Sequence, residues 1–155
     1  MKPVMFTYAA EFRRWLDVHH ADTTELLVAF NRKASGRDGL TYAEALDEAL
    51  CYGWIDGVRR RLDAHRYTIR FTPRQRGSVW SLVNVRHVER LAAAGRMRSP
   101  GLAAFAARDA RKTGVYSFES RPQELPPPLA KTFRAHAAAW RFWLAQPPGY
   151  RRTAL

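Results

Sequence analysis

Between Thr41 and Thr72 the apolar residues change their spacing from a period of 3.6 to a period of 2, and few folds accommodate that switch within thirty-odd positions. Thr41-Tyr-Ala-Glu44 reads as a capping box, in which the Thr41 hydroxyl accepts from the Glu44 amide and the Glu44 carboxylate reaches back to the Thr41 amide. The box predicts a helix from about Tyr42 to Tyr52. Its apolar stripe is Tyr42, Ala45, Leu46, Ala49 and Leu50, with Glu44, Asp47 and Glu48 on the other side and Gly53 as its stop. After Ile55, Tyr67, Ile69 and Phe71 alternate with Thr68, Arg70 and Thr72, the mark of a strand with one buried face. Val58, Arg60 and Leu62 pair with it across a turn at Asp63-Ala64-His65, so Val58 to Arg76 reads as a basic hairpin.

The flanking segments add elements of both kinds. Tyr8, Phe12, Trp15, Leu16 and His19 have helical spacing, with Trp15 inward, and Glu25 to Asn31 is short and apolar enough for a buried strand before the loop at Gly36 to Gly39. Ser78 is expected to cap a helix from about Val79 to Ala94, with Leu82, Val85, Val88 and Leu91 inward and Gly95 after it. Ser99-Pro100 opens another helix, ending near Gly114. Pro122 to Pro128 is an extended proline-rich strap, and a last helix is expected from about Leu129 to Leu144, before Pro147-Pro148. The expected fold is α+β, a small antiparallel sheet that includes the basic hairpin, packed against several helices. The first domain is expected at 1–120, and the strap and C-terminal helix at 121–155.

Composition narrows the function classes. The 155 residues suffice for a core without a disulfide or metal staple, and the single cysteine, Cys51, reads as a small buried filler in a reducing cytoplasm. No apolar run reaches the ~20 residues of a membrane span. The net charge of +12 attracts polyanions, although arginine outnumbers lysine so strongly that biased codon usage is an equal explanation. His19, His20, His65, His87 and His136 lack metal-site spacing, so neither metal nor cofactor is expected.

Three readings of the charged residues remain open. Trp54 and Asp56 point to one side of an extended segment, and Arg70, Thr72 and Arg74 lead into Ser78, Trp80 and Asn84. Together these eight form a candidate cleft for a small anion at a helix start, or for an acidic protein. Pairing of the hairpin arginines with Glu44 to Glu48 is the plainer account. Arg59, Arg60, Arg61, Arg66 and Arg76 form a candidate polyanion face, with Trp80 or Tyr52 to stack on bases and no motif for sequence-specific recognition. An enzyme acting on an anionic substrate would use Asp56 or Glu44 as base and Arg70 and Arg74 as clamps; no catalytic residue is assigned.

Thr41-Tyr-Ala-Glu-Ala-Leu-Asp-Glu-Ala-Leu-Cys-Tyr-Gly-Trp-Ile-Asp-Gly57, Arg70-Phe-Thr-Pro-Arg74, Ser78-Val-Trp-Ser81, Asn84, Gly95-Arg-Met97 and Gly101-Leu-Ala-Ala resemble the YdeI/OmpD-associated, or bacteriocin-protection, family of bacterial proteins. The segment from Leu125 to Arg152 is similar to the start of that family's C-terminal module, here apparently shortened after Tyr150-Arg-Arg152. The resemblance implies a part in envelope stress or antimicrobial-peptide resistance and implies no catalytic residues. A non-enzymatic, stress-associated binding domain with an anion-favouring cleft is therefore the first expectation.

Overall fold

A computed structural model describes residues 2–116 and 124–154. Their contacts divide the chain into two compact units, Met1–Thr113 and Gly114–Leu155. The domain boundary expected at 120/121, and Pro122 of the strap, fall outside the described residues.

The first unit is built on a four-stranded sheet in the order β1-β2-β4-β3, from β1 (Val4–Met5), β2 (Leu26–Asn31), β3 (Trp54–Arg61) and β4 (Arg66–Pro73). Helix α1 (Ala9–His19) precedes β2, and α2 (Tyr42–Cys51) precedes β3. Helices α3 (Leu82–Ala93) and α4 (Ser99–Ala106) follow the hairpin. The α+β class is as expected, but the sheet is mixed, because β1 runs parallel to β2 and the other pairings are antiparallel. Two residues of parallel pairing leave no periodicity to read.

The hairpin's alternation sets the position of everything around it. Val28 pairs with Ile69 and Phe30 with Tyr67, and these side chains join Phe71, Phe12, Leu16, Leu46 and Leu50 in one core. Thr68 was expected on the outer face and does point that way, yet it is only 5 % exposed. It lies on an interior strand between Ala29 and Arg60, and its hydroxyl donates to the Arg60 carbonyl at 3.5 Å. A register shift between Asp56 and Arg59 bends β3 as it leaves the core.

Helix α2 carries the expected capping box, with both reciprocal bonds present, and Gly53 ends it at φ 74°. In α1, Phe12 and Leu16 are fully buried and Trp15 meets Trp54 edge-on at 5.7 Å, whereas Tyr8 caps the helix from outside and is 67 % exposed. The cap of α3 lies three residues later than expected. Ser81 accepts from the Asn84 amide, while the Ser78 hydroxyl donates to the Gln75 carbonyl. The chain stays extended through Trp80, whose backbone pairs with Thr113, so the helix starts only after the buried indole. Leu82, expected inward, is therefore on the exposed side. Helix α4 stops at Ala106 rather than Gly114, and a 3-10 turn at Ala110–Lys112 follows.

In the second unit the helix expected from Leu129 to Leu144 is split into α5 (Pro127–Ala135) and α6 (Ala137–Ala145), and a further helix, α7 (Pro148–Ala154), follows. His136, at φ −91° and ψ 77°, breaks the first from the second. Pro127 and Pro128 begin α5 instead of extending the strap, and Pro148 opens α7, since proline at a first turn has no amide to leave unpaired.

Candidate functional site

Where β4 ends, the chain turns past Arg74 toward Trp80 and builds a cationic corner. The Arg74 amide donates to the Gly53 carbonyl at 2.8 Å, which fixes the exit of the hairpin against the end of α2. The guanidinium lies 3.6 Å over the Trp80 ring and donates to the Val79 carbonyl. Trp80 is 3 % exposed and meets Phe105 edge-on at 5.3 Å. On Phe105, in turn, lies the Arg108 guanidinium, at 3.8 Å, donating to the Phe105 carbonyl at 2.9 Å. Lys112 reaches across and donates to the Gly77 carbonyl at 3.2 Å, where Gly77 holds a left-handed φ of 75°. A pocket of about 40 Å³ opens among Arg74, Gln75, Arg76, Gly77, Trp80 and Arg108, with Ala104 and Ala107 also lining it. None of these lining residues is acidic. That volume admits roughly three water-sized groups, the scale of the oxygens of one oxyanion.

The other expected members do not join this corner. Trp54 is 1 % exposed and its indole N–H donates to the His20 carbonyl, so it is a core residue and no stacking platform. Asp56 accepts from the Tyr42 hydroxyl at 2.9 Å and sits opposite Phe71 on the inner face, whereas Arg70 points outward from the next position. Strand alternation thus separates the proposed base from its clamp. Arg70 lies 3.4 Å from Glu25, and the two share a shallow groove with Thr24, Thr72, Pro73 and Gln75. A groove holding both signs of charge is a poor anion site. Ser78 is tied to Gln75, and Asn84 belongs to the α3 cap. Glu44, the alternative base, is consumed by its capping box; the Thr41 hydroxyl and amide hold its carboxyl below the usual range.

Of the candidate polyanion face, Arg59 stacks over Tyr67 at 3.6 Å, Arg66 pairs with Asp63, and Arg61 donates to the Asp63 carbonyl. The amides of His65 and Arg66 and the Arg66 guanidinium hold Asp63 at about 2. Arg60 is exposed on the outer face and Arg76 borders the pocket. Tyr52 and Trp80 are each 3 % exposed and do not offer faces to bases.

The acidic residues of α2 have partners that local sequence did not suggest. Glu48, 4 % exposed, accepts from Arg13 at 2.6 Å and from Arg96 at 2.6 Å, and Asp47 accepts from Arg90 at 2.6 Å and meets His87 at 2.8 Å. Neither side chain is a solvated face, and neither pairs with the hairpin. Burial works to raise the Asp47 carboxyl, but the hydrogen bonds from Arg90 and His87 outweigh it and the group lies below its ordinary 3.8. A depressed carboxylate contributes stability that is complete above the unfolded value and lost as pH falls through the folded one. The first unit is therefore expected to lose stability below about pH 4 in urea titrations, and Asp47→Asn is expected to flatten that acid limb. An unchanged limb in the variant would assign the acid sensitivity to other carboxyls.

No group of three or more His, Cys, Asp or Glu among the described residues is placed to hold a metal ion, and no helix among them is long and apolar enough to cross a membrane. A family model described as a domain of unknown function (DUF8412) matches residues 4–104, which run from β1 into α4 and include Arg74, Arg76 and Trp80. No curated protein and no solved structure matches the chain.

Proposed function

The chain belongs to the DUF8412 family, a domain of unknown function, and from that membership, which brings no reaction with it, we propose that its first unit is a non-enzymatic binding module for an anionic group. Phosphate or carboxylate is held in the corner between Arg74, Arg76, Arg108 and Lys112. The observation that carries this reading is the pair of guanidinium groups held over Trp80 and Phe105, at 3.6 and 3.8 Å, beside a pocket lined by no carboxylate. Stacking fixes each fork before a ligand arrives, which lowers the ordering cost of binding. Gly77 lines the pocket in the turn from Gln75 to Ser78, at a left-handed φ of 75° that favours glycine. Resemblance to YdeI/OmpD-associated proteins supports a part in envelope stress or antimicrobial-peptide resistance, and the free, buried Cys51 suits a reducing cytoplasm.

Thermal unfolding in low salt tests the site. Inorganic phosphate at about a hundred times its Kd is expected to stabilise the parent by about 2.7 kcal/mol. Arg108→Ala is expected to weaken binding at least about tenfold, the scale of one charged hydrogen-bonding group. An equal rise in parent and variant, or one matched by sodium chloride at the same ionic strength, would refute the corner as the binding site.

A second reading is nonspecific polyanion binding along the hairpin, favoured by the outward, exposed side chains of Arg60 and Arg70. It differs in its residue dependence: Arg60→Ala should reduce the salt slope of duplex DNA binding by about 1 while Arg108→Ala leaves it unchanged.

A further inference from the structure

From residue 125 to residue 155 the chain contains Lys131, Arg134, Arg141, Arg151 and Arg152 and no aspartate or glutamate. The same stretch carries Phe133, Trp140, Phe142, Trp143, Leu144 and Tyr150, yet none of its described helical residues is fully buried. Helix α6 has one charged residue, Arg141, in nine. A helix apolar on nearly all sides needs cover. Phe142 is 63 % exposed, Leu144 51 % and, on α5, Leu129 59 %.

The unit also has a groove of about 430 Å³. Trp140, Trp143 and Leu144 line it at spacings of three and four along α6, with Leu125 and Ala130 opposite. Phe133 locks both indoles edge-on, at 5.5 and 5.8 Å. Arg134, Arg151 and Arg152 border the groove, against one carboxylate, Glu124. The Arg151 Nε is shielded from water and finds no hydrogen-bond partner among the described residues.

We propose that this groove seats an acidic amphipathic helix of a partner protein, its apolar side chains against Trp140 and Trp143 and its carboxylates on Arg134, Arg151 and Arg152. The volume and apolar lining suit side-chain anchors at helical spacing rather than a single small anion. Guanidinium forks on the border match carboxylates two at a time. A second copy of this chain brings the same positive charge to the contact, and a lipid surface is planar on this scale and does not enter a groove.

The test uses the full chain and a fluorescein-labelled helical peptide about 18 residues long, with Leu at positions i, i+3, i+4 and i+7 and Glu beside them. A counterpart with Lys for each Glu is the control. Fluorescence anisotropy is expected to show saturable binding of the Glu peptide only, weakening as salt rises. The Arg151→Gln/Arg152→Gln variant, whose changes lie at the border, is expected to bind at least about tenfold more weakly with unchanged far-ultraviolet circular dichroism. Trp143→Ala should also abolish binding. Equal binding of both peptides, or parental binding by the double-arginine variant, overturns the proposal. So does arginine-dependent capture by phosphatidylglycerol vesicles without peptide binding, or a dimer that Trp143→Ala dissociates.

Discussion

Replacing Gly101 with alanine is expected to lower the melting temperature of the first unit by about 12 °C or more. A Cβ at this position would lie 2.2 Å from the Cys51 carbonyl oxygen and 2.7 Å from the Leu50 oxygen, all backbone atoms that no rotamer change can move aside. The Arg98 amide also donates to that Cys51 carbonyl, at 3.0 Å, and so satisfies an orphan acceptor at the end of α2. Parting the helices strains the packing and breaks this bond, together costing about 3 kcal/mol or more. Gly53 faces the same seam from the other side, 2.9 Å from the Pro100 oxygen by the same measure. Gly95→Ala is the control. Gly95 has a left-handed φ of 65° with nothing within 4 Å, so only the backbone cost of about 1 kcal/mol applies. Urea unfolding followed by tryptophan emission separates the two. Equal losses in both variants would mean that α4 is not held this closely.

Glu48→Ala is expected to destabilise the same unit by about 3 kcal/mol, at the low end for a broken buried ion pair. The low end applies because the side chains of Arg13 and Arg96 are 22 % and 39 % exposed and can turn to water, whereas that of Glu48 is 5 % exposed. High salt should not reproduce the loss, since screening acts weakly on a buried pair. A cycle with Arg13→Met adds the decisive comparison: Glu48→Met with Arg13→Met should cost less than the two single changes summed, because the contact between Arg13 and Glu48 is lost in each single change and is counted twice in their sum. Strict additivity would show that the 2.6 Å contact between Arg13 and Glu48 couples nothing.

Most of the fold's local grammar was legible, and its long-range grammar was not. The capping box at Thr41, the stop at Gly53 and the alternation of Tyr67, Ile69 and Phe71 are each settled within a few residues, so sequence alone located α2 and β4. Ser78 and Ser81 offer the same chemistry as caps. The choice between them is made by the pairing of Trp80 with Thr113, thirty-three positions away. Asp47 and Glu48 were matched to the hairpin arginines for the same reason, since their actual partners, Arg13, Arg90 and Arg96, reach them from elements remote in the chain. The candidate site was half legible. Arg74, Arg76 and Trp80 were singled out, but Arg108 and Lys112 arrive from beyond α4, and no local pattern announced them. Asp56 and Arg70 went astray by one position of strand phase, a parity that places neighbouring residues on opposite faces.

The close packing at the end of α2 makes the chain's single thiol a clock. Cys51 is 0 % exposed, and burial pushes its thiol above the ordinary value, so a thiol reagent finds it only when the packing around the end of α2 opens. When reclosing outpaces labelling, the rate of modification reports the equilibrium free energy of that opening; when it does not, the rate reports the opening event itself. One native residue thereby gives a time-resolved view of this packing without any introduced probe.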